Sequence, residues 1–258
     1  MSNPTEPASA NEAKRVGTLG NRKRYKDAAL DYLRRGWLSP LPLPPGVKYP
    51  PPSGWTGGSA PYPDRARVKG WVTGEHSDGN LALRLNDNVI AIDVDTGHEN
   101  KQGAANLTAF ERMVGATFPR TWSSSAREDG SRQMFYRVPE GLFWLSSLPT
   151  IGPDGREVRK SSDVQVIHPW HRYSVVWPSI HPDTGTQYRW RDPVGNVSLN
   201  PPSVEDLTEL PNALIEALAV PEPQVSERGS ETAARGLLDA LDRERSEGLC
   251  LSVFRSGS

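Results

Sequence analysis

The sequence is short of cysteine, of unbroken apolar runs and of net charge, and each shortage closes off a class of protein. Cys250 is the only cysteine in 258 residues, so no disulfide forms within the chain and no cysteine-built zinc knuckle is available. No stretch of eighteen apolar residues occurs, and the N-terminus lacks a signal-peptide hydrophobic segment. A soluble, cytoplasmic protein is the expectation. Formal net charge is −1, so no global basic excess announces nucleic acid, although a local basic groove can sit inside a balanced total. A Gly-rich loop ending in Gly-Lys-Ser/Thr is also missing, which leaves out a P-loop domain. Apolar residues make up only 36% and prolines number 24; both favour long ordered loops and disordered flanks over one very large core.

Residues 1–20 have no periodicity and read as a disordered leader. A helix is predicted over 24–35, because Tyr25, Ala28, Ala29, Tyr32 and Leu33 share one face and Gly36 stops it. The proline-rich tract 37–57 excludes a helix interior or a central strand, so it is predicted as an extended surface loop. It reads either as a partner-binding polyproline segment or as the ordered wall of a site carrying Lys48. Runs 81–85 and 89–94, joined by Asn86-Asp87-Asn88, read as a hairpin. A helix is predicted over 106–118, and strands over 134–138, 164–167, 173–177 and 187–190. Helices follow over 203–209, with a cap at Ser203 and Asp206, and over 211–218. A linker over 221–229 and an amphipathic helix over 230–247 precede an abrupt apolar tail, which reads as a truncated end. The predicted class is α+β, a mixed and largely antiparallel sheet flanked by helices. A catalytic domain is expected over 21–200 and a small helical segment over 201–258.

The sharpest local signal is Ala91-Ile92-Asp93-Val94-Asp95-Thr96-Gly97. On a strand, Asp93 and Asp95 project from one face. Two adjacent carboxylates disfavour each other's ionisation unless a cation neutralises them, and hard oxygen ligands at this spacing suit Mg²⁺ or Mn²⁺. The alternative is a strand end with two acids facing water. Asp163, at the start of another predicted strand, could complete a two-ion cradle, with Gln165 on the same face as a fallback. Two segments could grip phosphate: the turn Gly130-Ser131 leading into Arg132-Gln133, and Arg172 with Ser174 on one face of the next strand. Arg172 could equally be a surface cation, and His181 a turn histidine.

Taken together, four segments resemble the bifunctional primase-polymerase domain of the archaeo-eukaryotic primase superfamily, in the form found in actinobacterial phage and plasmid replication proteins. They are Ala28–Tyr32 with Gly36-Trp37 and the loop carrying Lys48; Asn80–Leu85 leading to Asp93 and Asp95; Gly130–Pro139; and Asp163 followed by Tyr173–Pro182 and Tyr188-Arg189-Trp190. The resemblance implies an RRM-like core and divalent-metal-dependent nucleotidyl transfer on a single-stranded DNA template. It also implies nucleoside triphosphates as substrates, a helicase domain on the same polypeptide, and a bacterial host cytoplasm. It makes Asp93, Asp95 and Asp163 the ligands of two Mg²⁺ or Mn²⁺ ions. The family's Ser-x-His motif falls on Ser131-Arg132-Gln133, so its histidine is missing here. Arg172 matches the downstream triphosphate contact; Ser179, His181, Lys48 and Arg84 are further lining candidates. The rival functions are a non-catalytic DNA-binding module and a metal-dependent nuclease.

Overall fold

The computed structural model describes residues 23–57, 59–97, 100–152, 154–159 and 163–222. The expected leader, the 230–247 helix and all but the start of the 221–229 linker lie outside the described residues.

Helix α1 (Tyr25–Arg34) forms where predicted, burying Tyr25, Ala28, Ala29 and Tyr32. Gly36 just beyond it takes φ +84°, the left-handed conformation that favours glycine at a helix end. The proline tract then departs from expectation: Ser39–Leu43 is a strand, β1. It is tolerated because β1 is the edge of a three-stranded antiparallel sheet, ordered β1-β2-β10, with β2 (Asn80–Arg84) and β10 (Ser174–Val176). An edge strand needs ladder hydrogen bonds on one side only, so the alternate prolines Pro40 and Pro42 fit. Helix α2 (Arg65–Thr73) carried no clear sequence signal, since it buries only Val68 and Trp71. It begins where the Asp64 carboxylate accepts the Arg67 N–H at 2.7 Å.

The predicted hairpin over 81–94 is not formed. Strand β3 (Val89–Val94) leaves β2's sheet and joins another. The Asn86 side chain anchors the crossover, accepting from Leu38 N at 2.9 Å and donating to Gly36 O at 2.8 Å. The larger sheet has seven strands, ordered β12 (Val197–Ser198), β11 (Arg189–Arg191), β4 (Ser123–Ser125), β5 (Arg132–Arg137), β3 and β9 (Val164–Ile167). Its seventh strand, β13 (Thr208–Glu209), pairs parallel with β5; the other pairings are antiparallel. In place of the helix predicted over 203–209 there is a 3₁₀ turn, Val204–Asp206, and then β13. Helix α3 (Gly103–Val114) starts and ends earlier than the predicted 106–118. Helix α4 (Asn212–Leu218) follows Pro211. Two short antiparallel pairs form sheets of their own, β6 (Phe143–Trp144) with β14 (Ala219–Val220) and β7 (Thr150–Ile151) with β8 (Glu157–Arg159).

Alternation divides the core between the two faces of the large sheet. Val89, Ala91, Phe135, Ile167 and Trp190 pack with α1, Trp37, α2 and the small sheet. Ile90, Ile92, Val94, Met134, Tyr136, Val164 and Val166 pack with Leu107 and Phe110 of α3 and Leu214 and Leu218 of α4. No helix among the described residues is long and apolar enough to cross a membrane.

Candidate active site

Asp93 and Asp95 extend the Val89–Ala91 face of β3, so the apolar surface turns polar toward the strand's C-terminal end. Register decides their neighbours. Asp93 lies opposite Gln133 of β5 and Gln165 of β9, and Gln133 lies opposite Ser124 of β4. Directly opposed residues in antiparallel strands share a face, so Gln165, Asp93, Gln133 and Ser124 form one transverse polar row. The next row is joined where Asp95 N donates to Asp163 O at 2.9 Å.

Above these rows opens a cleft of about 240 Å³, lined by Lys48, Asp93, Asp95, Ser124, Ser125, Ala126, Arg127, Ser131, Arg132, Gln133, His181, Asp183 and Tyr188. A larger hollow of about 710 Å³ beside α2, between Trp55 and Trp71, contains neither acid of the β3 pair; the chemistry belongs to the smaller one. Burial, then the charge of Asp95, pushes the Asp93 carboxyl up to about 6, against a hydrogen bond from Gln133 and the charges of Lys48 and Arg172. Burial pulls the Lys48 ammonium below its usual range, opposed by Asp183, Asp93 and Asp95.

Two serines place two cleft residues by the same device. The Ser131 hydroxyl accepts Thr96 N–H at 3.0 Å and donates to Thr96 O at 2.8 Å. The Ser179 hydroxyl accepts Leu81 N–H at 2.7 Å and donates to Leu81 O at 2.8 Å. Each latch pins a backbone segment, Thr96 just past β3 or Leu81 within β2, and the residue two positions on from the serine, Gln133 or His181, lines the same cleft. Ser131-Arg132-Gln133 and Ser179-Ile180-His181, far apart in sequence, are thus parallel constructions.

Other expected residues are distributed unevenly. Lys48 and His181 meet, Nζ to Nε2, at 2.9 Å. Asp163 sits across from Asp95, but its carboxylate accepts from Lys101 Nζ at 3.2 Å and from Gln102 N at 2.9 Å, at the start of α3. Arg172 is exposed in a left-handed conformation, φ +64°, and does not line the cleft. Arg84 is buried away from it, donating to Ala60 O at 2.7 Å and Pro61 O at 3.2 Å while lying 4.3 Å over the Tyr62 ring. The sequence reading gave no role to Arg127 or Asp183, and it quoted Tyr188 only within the resemblance. Arg127 and Asp183 sit in loops without periodicity, and only a pairing at 3.4 Å across the cleft rim reveals them.

A hard divalent cation suits this donor set. Beside Asp93, its row holds three buried oxygens without a hydrogen-bond partner, Gln133 Oε1, Gln165 Oε1 and Ser124 Oγ. Orphaned oxygens flanking an acidic pair are a match for an ion that takes oxygen ligands and retains water. Among the described residues no three Asp, Glu, His or Cys side chains converge to hold an ion by themselves, so the fit rests on two carboxylates with neutral oxygens beside them.

A family model described as bifunctional DNA primase/polymerase, N-terminal, matches residues 29–213. That span includes every cleft residue named above. Among curated proteins no match is found.

Proposed function

The chain belongs to the bifunctional DNA primase/polymerase family through that N-terminal domain, and from this premise we propose that it catalyses template-directed nucleotidyl transfer to a 3′-hydroxyl. The observation that carries the reading is the placement of Asp93 and Asp95 on the floor of a cleft whose walls present Lys48, Arg127 and Arg132. The three cations are offset by Asp93, Asp95 and Asp183 in the same lining. A triphosphate therefore needs further positive charge to enter, and the carboxylate pair is built to recruit it. Asp93 and Asp95 would hold Mg²⁺ or Mn²⁺ with the neutral oxygens beside them, while Asp163, a third ligand by the family resemblance, is engaged by Lys101 and the Gln102 N–H. When bound, the ions would lower the pKa of the attacking hydroxyl and neutralise the leaving pyrophosphate. Arg127 and Arg132 orient phosphate oxygens from the rim, with Ser131 and Gln133 in the lining and Ser179 buried, fixing the backbone that leads to His181. Arg172 approaches from outside the cleft, where its charge acts on Asp93.

By the same family reading the substrates are a single-stranded DNA template and nucleoside triphosphates. The setting is phage or plasmid replication in a bacterial cytoplasm, with a helicase domain on the same polypeptide. The test is extension of a primed single-stranded template with Mn²⁺ or Mg²⁺. Asp93→Ala with Asp95→Ala is expected to abolish incorporation while the circular dichroism spectrum stays folded. Retained incorporation sinks the assignment. Template degradation without nucleotides would point instead to a nuclease, and binding without either reaction to a non-catalytic module.

A further inference from the structure

Two bases face each other in the cleft where an ion pair would be expected. Lys48 Nζ and His181 Nε2 stand 2.9 Å apart, a hydrogen-bond distance at which one nitrogen donates and the other accepts. The line between them therefore carries one proton. Asp183 flanks the far side of the ring: its N–H donates to His181 Nδ1 at 3.2 Å, and its carboxylate lies 3.8 Å from the same atom, just beyond hydrogen-bonding reach. With Nδ1 accepting, the ring proton sits on Nε2 and the amine offers its lone pair; with Nδ1 protonated, the ammonium donates to a bare Nε2. The second arrangement requires the Asp183 carboxylate, 3.8 Å from Nδ1, to close to hydrogen-bonding distance.

The pair is clamped rather than fortuitous. Buried Asn80 brackets both loops, its Nδ2 donating to Val47 O and to Ile180 O at 2.9 Å each, while its Oδ1 accepts Ile180 N–H at 2.9 Å. Those are the residues immediately before Lys48 and His181. Tyr173 Oη holds Lys48 O at 2.7 Å, and the Tyr188 ring lies 5.8 Å from the imidazole. Sharing one proton, the pair carries a single positive charge held inside the cleft, which an arriving anion would neutralise.

We propose that Lys48, positioned by His181, is the acid that protonates the pyrophosphate as it leaves, an inference that rests on the nucleotidyl-transfer reading above. As the 3′-oxygen bonds to the α-phosphorus, the bond from that phosphorus to the bridging oxygen breaks. The hydroxyl proton passes to solvent. The bridging oxygen, now on pyrophosphate, takes a proton from Lys48, and the pair regains one from solvent. The charged or titratable groups facing Lys48 are Asp93 and Asp95 on β3, Arg127 after β4, and Asp183 after His181. Tyr188 adds a phenol whose burial keeps it protonated. Burial outweighs the carboxylates in loosening the ammonium's hold on its proton, in the direction a proton donor near neutral pH requires.

The test is single-turnover incorporation by the full chain, using nucleoside triphosphates whose β,γ-bridge substituents make pyrophosphate a better or a poorer leaving group. Wild type should show a shallow dependence on leaving-group basicity. Lys48→Met should slow the natural nucleotide about a hundredfold and steepen that dependence. Lys48→Arg keeps the charge but holds its proton too tightly to give it up; it should reproduce the slow, steep behaviour with nucleotide affinity essentially unchanged. Lys48→Arg at wild-type rate, or a Lys48→Met loss that is parallel across all analogues, overturns the proposal and leaves the polymerase reading standing. No incorporation by wild type overturns both.

Discussion

Asp93 spends much of its chemistry resisting ionisation. Its carboxyl, ordinarily at 3.8, is pushed up to about 6 by burial and by Asp95, so the folded chain holds that proton more tightly than the unfolded one. The stabilisation from protonated Asp93 is full below 3.8 and is lost as pH rises through about 6. In a chelating buffer, Asp93→Asn should be more stable than wild type at pH 7.5 by on the order of 2 kcal/mol. The gap should close by pH 4, as measured by denaturant titration at each pH. A pH-independent gap would show that Asp95 and burial do not act on this carboxyl. Two neighbouring acids were legible at once, because a strand's period of two is a local property. Gln165, Gln133 and Ser124 in one row with Asp93 were not, because that row exists only once three other strands take register.

Among the elements, α3 decides how closely two strands approach at the site. Gly103 N donates to Asp95 O at 2.8 Å, and a Cβ on Gly103 would collide with the carbonyl oxygens of both Asp95 and Asp163. Gly103→Ala should therefore cost about 1–3 kcal/mol and weaken Mn²⁺ binding about tenfold by calorimetry, through displacement of Asp95. Loss of stability with unchanged Mn²⁺ affinity would separate the glycine from the site. Helix α1 was readable from its apolar stripe, whereas α2 was not, since two buried residues in nine make no stripe. The misread hairpin has a similar origin. Residues Leu81–Leu83 and Val89–Ile92 are apolar and fully buried, and a run buried on both faces does not say which strand it pairs with.

Across the whole molecule, the small sheet, α1 and the large sheet meet at a hydrogen-bonded joint. Trp190 Nε1 donates to Tyr32 Oη at 2.7 Å, and Tyr32 Oη donates to Trp177 O at 2.6 Å. The joint supports the cleft, because β10 leads through Trp177 to Ser179 and His181 while Trp190 lies opposite Ser124. Tyr32→Phe leaves the buried indole N–H and the Trp177 carbonyl unmatched. It should lower the urea midpoint by the equivalent of about 1–3 kcal/mol with an unchanged slope. An unchanged urea midpoint would instead mean that the two sheets are held together elsewhere.

What the sequence determined by itself is what depends on neighbours a few residues apart: the α1 face, the same-side aspartates, the Ser203–Asp206 cap and the α+β class. Tertiary structure decided which strands pair, that Ser131 and Ser179 each latch a backbone segment two residues before a cleft side chain, and that Lys48 meets His181. These are contacts between segments as far apart as residues 48 and 181. Periodicity specifies which face a side chain occupies but carries no information on the partner across from it. Only closing the loops between them, at an entropic cost met by the shared core, brings such residues within hydrogen-bonding reach.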